Sequence, residues 1–83
     1  MKIRILGCGG AGGVPMVSRG WGVCDPNNPK NRRRRTSILI TPPQARILVD
    51  TSPDLREQLL DCGVTQLDAV LYTHAHADHI HGI

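Results

Sequence analysis

Phenylalanine is missing from these 83 residues, and Trp21 and Tyr72 are the only aromatic side chains. Any core must therefore be assembled from Ile, Leu and Val. Two isolated rings also make no stacking platform for single-stranded nucleic acid, which needs aromatics in succession. Long hydrophobic runs are absent as well: nothing approaches the ~18 apolar residues of a membrane-spanning helix. The opening Met1-Lys2-Ile3-Arg4-Ile5-Leu6 alternates charge with hydrocarbon and lacks the apolar centre and cleavage site of a secretory signal. Cysteine is sparse, with three widely spaced residues. An odd count without such a signal fits reduced thiols, so a cytoplasmic location is expected rather than a disulfide scaffold.

What is present narrows the field further. At 40% hydrophobic, the chain is too apolar for disorder. Its length suits one small domain, of the size that buries only about 60% of its unfolded surface. All four histidines lie in the last ten residues.

Residues 2–6 alternate, with Ile3 and Ile5 on one face, and predict a strand. Seven of the nine glycines then fall between Gly7 and Gly22. Residues 24–31 are polar and turn-prone, and four arginines follow. Residues 36–41 are β-branched and apolar, a second strand. Pro42-Pro43-Gln44-Ala45 turns the chain into a third strand over 46–50, expected to pair with the second as a hairpin. A helix comes next, with Ser52 as N-cap, Pro53 at its first position and Asp54 near the positive end of its dipole. Leu55, Leu59 and Cys62 make its apolar stripe, with Leu60 beside it. Gly63 supplies a left-handed stop. Residues 67–73 read as a fourth strand. Because the helix links the third and fourth strands, those two are expected to be parallel. The order β-loop-β-β-α-β is an α/β pattern.

Gly7, Gly9 and Gly12 satisfy G-x-G-x-x-G after a strand, the spacing of a dinucleotide-binding turn. That chemistry needs the loop to open a helix whose N-terminus meets a pyrophosphate. Gly13-Val14-Pro15 and Ser18-Arg19-Gly20-Trp21-Gly22 sustain no helix, and Asp25 sits among prolines and asparagines rather than at a strand end. The glycines are better read as letting the backbone pass close to another strand or a substrate. The run Arg32 to Arg35 is of a kind that usually sits in water. A nucleic-acid face needs basic residues spread over a surface, so nucleic acid is not an expected partner. Leading into a strand, alternate arginines should point to opposite faces, where one or two could grip a phosphate-bearing substrate.

The strongest signal is Thr73-His74-Ala75-His76-Ala77-Asp78-His79-Ile80-His81-Gly82. Imidazole nitrogens and carboxylate oxygens are the usual ligands of zinc and similar ions. At the end of an extended strand, i and i+2 share a side, so His74 and His76 can grip one ion. Asp78 and His79 lie where the chain turns and can face a second ion. Two metals ~3.5–4 Å apart activate water and steady both the attacking and the leaving oxygen. His81 breaks the alternation and is expected to face solvent or stand behind the ligands.

Thr73-x-His-x-His-x-Asp-His with Gly82 following resembles the metal-binding motif of the metallo-β-lactamase fold superfamily. Leu6-Gly7-Cys8-Gly9-Gly10 with Gly13-Val14-Pro15 is similar to one branch of it. So are the link from Trp21-Gly22-Val23-Cys24-Asp25-Pro26 to Asn31-Arg32-Arg33-Arg34-Arg35-Thr36-Ser37 and the segment Val49-Asp50-Thr51-Ser52-Pro53-Asp54. That branch holds phosphodiesterases related to the phosphonate-utilisation cyclic phosphodiesterase and resembles tRNA-processing endonucleases. The resemblance implies the N-terminal half of an αββα sandwich. Residues 1–83 would be the N-terminal part of one domain, truncated after the metal motif and inactive alone.

The resemblance also implies a hydrolase with two divalent ions, zinc first and manganese as the alternative, acting on a small phosphate ester. His74 and His76 would bind the first metal, and Asp78 and His79 the second. Asp78 would double as general base, and Asp50 would orient a ligand imidazole. Relatives in the branch often carry a cysteine triplet for a structural zinc in the 19–24 region. Arg19 and Trp21 stand there with only Cys24, so no structural zinc is expected. The remaining ligands would lie downstream, and a helix starting near His79 has no room. Such a half-sandwich should expose apolar surface and an unpaired strand edge and persist by self-association. Three alternatives stay open. One is a small non-catalytic metal-binding module using His74, His76 and His79. Another is a basic nucleic-acid binder using Arg32 to Arg35. The third is a hydrolase of lactones or thioesters, since the motif fixes the metal centre and not the substrate.

Overall fold

The computed structural model describes every residue, Met1–Ile83. Strands β1 (Lys2–Gly7), β2 (Ser37–Thr41), β3 (Ile47–Val49) and β4 (Ala69–Leu71) form one sheet in that order. Helix α1 (Leu55–Cys62) links β3 to β4, and a single turn, α2 (Ala77–Ile80), follows. β1, β2 and β3 are antiparallel neighbours, while β3 and β4 run parallel. The element order is the one expected from the sequence, as is the parallel pair.

Several boundaries differ, each for a local reason. β4 stops at Leu71 because the Thr73 N–H turns away to the carboxylate of Asp50, 2.8 Å off. β3 stops at Val49 because Asp50 has φ 66, a left-handed conformation that no strand holds. The helix starts at Leu55 with Asp54, not Ser52, in the cap position. Ser52 Oγ accepts from the Asp54 N–H at 3.1 Å but gives its own proton to Gln58 Oε1 at 2.7 Å, and its carbonyl takes the Leu55 N–H. Residues 52–55 therefore form a turn that feeds the helix. Gly63, at φ 69, closes α1 as expected. The space near His79 does hold one helical turn, which starts at Ala77 and corrects the expectation of none.

The pairing register sorts the sheet into two unlike faces. Ile3 faces Ile40, Ile5 faces Ile38, Ile38 and Ile40 face Val49 and Ile47, and these face Leu71 and Ala69. Cross-strand partners share a side, so one face is wholly hydrocarbon. It is uncovered: Ile3 and Ile5 are 65% and 67% exposed, and Leu71 is 54% exposed. The opposite face carries Leu39 and Leu48, the two apolar side chains that are fully buried, and the β3–α1–β4 connection covers it. Gln58, which is buried, and Leu55, Leu59 and Cys62, which are half-buried, stand at i+3, i, i+4 and i+7 and give α1 the stripe it needs for that contact. The chain is correspondingly flat. Its shortest extent is 17 Å, and its radius of gyration, 13.4 Å, exceeds the about 12 Å of a compact chain of this length.

Most of the side chains that are buried are polar: Ser37, Asp50, Thr51, Ser52 and Gln58. No buried side-chain nitrogen or oxygen lacks a partner. Ser37 Oγ donates to the Asp50 carbonyl at 2.8 Å, and Gln58 Nε2 donates to the Arg35 carbonyl at 2.8 Å. The glycine loop runs beside the arginine segment, with the Gly9 N–H on the Arg34 carbonyl at 2.7 Å. A Cβ on Gly7 or Gly9 would collide with the Arg35 or Arg34 carbonyl, so these two glycines serve the close passage of another segment.

Candidate metal centre

The site is built from the ends of two parallel strands. Leaving β3, residues 50–52 form a clamp for the segment that leaves β4. The Asp50 N–H still bonds the Leu71 carbonyl at 2.8 Å, which sets the two chain exits side by side. The Thr51 N–H reaches the His79 carbonyl at 2.8 Å, and the Gly82 N–H returns to the Thr51 carbonyl at 3.0 Å. Thr51 Oγ1 donates to the Ile80 carbonyl at 3.0 Å. A Cβ on Gly82 would overlap the Ser52 carbonyl, which explains the glycine there. The C-terminal end of α2 and the residue pair after it are thus held from behind by Thr51.

Asp50 is the hub. Its carboxylate accepts from the Thr73 N–H on Oδ1 at 2.8 Å, and from Thr73 Oγ1 and His79 Nδ1 on Oδ2 at 2.8 and 2.6 Å. Burial raises its pKa, but these bonds from His79 and Thr73 outweigh that, and the net shift is downward. The carboxylate is therefore ionised and can only accept, so His79 carries a proton on Nδ1 and turns Nε2 away from Asp50 as the nitrogen that could meet a metal. That nitrogen lies 3.2 Å from Asp78 Oδ2. A second pair stands beside the first. His74 Nε2 and His76 Nδ1 are 3.1 Å apart, and the His74 and His79 rings have centroids 4.1 Å apart. His81 is exposed.

Each of His74, His76, Asp78, His79 and Asp50 thus lies in one cluster, arranged as two donor pairs with Asp50 behind. No three His, Cys, Asp or Glu side chains come together as a set that could hold an ion. The donor chemistry fits a borderline cation all the same. Two ligands at the ~2.0–2.1 Å of a zinc–nitrogen bond in tetrahedral array lie about 3.3 Å apart, close to the separation within each pair. His74 and His76 are exposed whereas His79 and Asp78 are half-buried, so one pair faces open solvent and the other the clamp. Sequence reasoning missed the parts played by Thr51, Thr73 and Gln58. Thr73 was visible in the motif, but nothing local showed that it would serve Asp50.

Comparison with known proteins shows the family. The family profile of the metallo-beta-lactamase superfamily matches residues 31–83. The chain belongs to the metallo-beta-lactamase superfamily. It is 46% identical over 84 residues to an octanoyltransferase from Porphyromonas gingivalis, covering all of this chain (100%) and 17% of that protein. It is 39% identical over 57 residues to a ribonuclease Z from Bradyrhizobium diazoefficiens, covering 66% of this chain and 19% of that one. A diphosphatase of the PhnP family superposes with a TM-score of 0.89 and 42% identity, over 96% of this chain and 32% of that chain. Zn(2+)-bound PqqB from Methylobacterium extorquens gives a TM-score of 0.77 and 27% identity, over 99% of this chain and 34% of that chain. The chain therefore spans between 17% and 34% of the length of these relatives. The expected family, and the α/β fold as part of an αββα sandwich, both stand. The family is one of metal-dependent hydrolases. No helix is long and apolar enough to cross a membrane.

Proposed function

We propose that residues 1–83 form one part of a metal-dependent hydrolase domain that acts on a small phosphate ester through two divalent ions. The carrying observation is the pairing of donors: His74 Nε2 with His76 Nδ1, and His79 Nε2 with Asp78 Oδ2, at 3.1 and 3.2 Å. His74 and His76 would hold the first ion, Asp78 and His79 the second. A bound zinc, or manganese in its place, supplies Lewis acidity toward a phosphoryl oxygen and a more acidic water. This chain's own residues do the rest. Asp50 fixes the His79 ring and tautomer, Thr73 braces Asp50, and the 50–52 clamp sets the height of the histidine segment. Asp78 would also take up a proton as general base. Two protein ligands per ion fall short of the three or four of established zinc sites, so the activity needs further ligands from a larger domain.

The relatives support the phosphate-ester reading, because one is a diphosphatase and another a ribonuclease. The zinc-bound neighbour supports zinc. The bare apolar sheet face supports a larger domain, because it is where a second layer would pack. A decisive experiment uses a full-length protein carrying this segment, with bis-p-nitrophenyl phosphate as substrate. His76→Ala is expected to lower bound metal and hydrolysis together. Unchanged metal content in that variant would refute the ligand assignment.

A further inference from the structure

All four arginines border one cleft of about 690 Å³, and Arg32, Arg33 and Arg34 also border a smaller hollow with Leu6, Gly7 and Cys8. Val14, Pro15 and Met16 add hydrocarbon to its lining, and no residue of the histidine segment takes part. The cleft is braced by backbone. Val14 and Arg33 exchange both main-chain bonds, at 2.9 and 2.8 Å. Two of the four charges are used internally. Arg35 spends its guanidinium on Asp54, through Nε at 2.6 Å and Nη2 at 2.9 Å, and so also neutralises the one carboxylate in the lining. Arg34 pairs with Asp61. Arg33 reaches only Cys8 Sγ, a weak acceptor, at 3.2 Å, and Arg32 is in no ion pair.

We propose that this cleft is a second binding site, separate from the histidine cluster, for a phosphorylated organic molecule of nucleoside-diphosphate size. Arg32 and Arg33 each carry a planar fork that no carboxylate occupies and that matches two phosphate oxygens; Arg33 would leave Cys8, which lies outside the cleft lining, to reach it. The volume falls within the roughly 300–1,000 Å³ of small-molecule sites. The hydrocarbon of Val14, Pro15 and Met16 gives the organic portion a surface, which inorganic phosphate would not use. Arg35, locked on Asp54, shapes the wall and leaves the ligand to its neighbours.

ADP is the probe, titrated into the whole chain with EDTA present and followed through the amide resonances of Gly12 and Gly13. ADP is expected to shift these signals saturably, and adenosine and inorganic phosphate to bind at least tenfold more weakly. Arg32→Ala and Arg33→Ala should each weaken ADP at least tenfold. Arg33→Lys, which keeps the charge and loses the fork, should weaken it less. Arg46→Ala removes the same charge at the β2–β3 turn and should leave ADP binding unchanged. Equal losses from Arg46→Ala and Arg33→Ala would reduce the effect to net charge and overturn the proposal. A requirement for zinc, with shifts centred on His74 to His79, would move ADP to the metal centre and also overturn it. Tighter binding of a single-stranded RNA oligomer, with steep salt dependence, would reassign the cleft to a nucleic-acid backbone.

Discussion

Asp50→Asn exchanges one oxygen for an NH2 group and should reverse the tautomer of His79. Asparagine tolerates the left-handed φ of 66, so the backbone stays in place. Its Oδ1 keeps the Thr73 N–H, and the NH2 group takes the position of Oδ2. Thr73 Oγ1, now offered a donor, can turn its own proton to His74 Nδ1, 2.9 Å away. His79 has no such freedom. Facing a donor at 2.6 Å, Nδ1 must give up its proton, which moves to Nε2, the nitrogen that faces Asp78. A charged hydrogen bond worth about 1.5–3 kcal/mol is replaced by a neutral one worth about 1 kcal/mol. The net loss of roughly 0.5–2 kcal/mol lowers the melting temperature by about 4–8 °C per kcal/mol at this size. Zinc affinity should fall about 10–100-fold, as for other partners of metal-bound imidazoles. Nitrogen-15 spectra of histidine-labelled protein, taken above the imidazole titration, read the tautomer directly. If His79 stays protonated on Nδ1 in the variant, the reasoning is wrong even where stability falls.

Other expectations follow from the same structure. Gly82→Ala sets a methyl group against the Ser52 carbonyl, and should cost about 1–3 kcal/mol and speed hydrogen exchange at Thr51 and Gly82; an unchanged exchange pattern would contradict the clamp. Burial raises the Asp54 pKa, but the Arg35 side-chain and backbone bonds and the Arg34 charge outweigh it and hold the carboxyl below its usual range. The pair's contribution is then complete above about pH 4 and is lost as pH falls through the lowered folded value. Urea midpoints of Asp54→Asn should lie below wild type at pH 6 and converge with it in strongly acidic solution; a gap that persists there would exclude the ionic origin. Ile5→Glu alters a side chain that is 67% exposed on the bare face, so stability should change by no more than about 0.5 kcal/mol. Sedimentation equilibrium should show weaker self-association in this variant, and an unaltered association constant would rule out the apolar face as its cause.

The sequence made the periodic elements legible because their signals are local. Ile3 and Ile5 alternate, Leu55, Leu59 and Cys62 keep helical spacing, and a helix between two strands implies a parallel pair. The histidine segment was equally open to reading, since its donors lie within six positions. What stayed hidden depends on partners far along the chain. Ser52 looks like a helix cap until Gln58 competes for its hydroxyl. Gln58 breaks an apolar stripe for no visible reason until the Arg35 carbonyl arrives beside it. The partners of the arginine segment were equally out of reach: Arg33 bonds Val14 along the main chain and Arg35 is held on Asp54, so that all four arginines border one cleft while Arg32 to Arg34 also border another.

The polar character of the buried side chains has a thermal consequence. Exposure of hydrocarbon raises the heat capacity on unfolding, and exposure of polar groups lowers it. A chain whose interior is mostly serine, threonine, aspartate and glutamine, and whose largest apolar face is already wet, gains little hydrocarbon hydration when it unfolds. Its heat-capacity increment should fall below the about 1.0–1.2 kcal/mol/K usual for this length. The stability curve is then broad and shallow, with melting spread over a wide interval and little loss on cooling. Covering the Ile3, Ile5 and Leu71 face, by whatever layer packs there, would sharpen that curve as well as raise it.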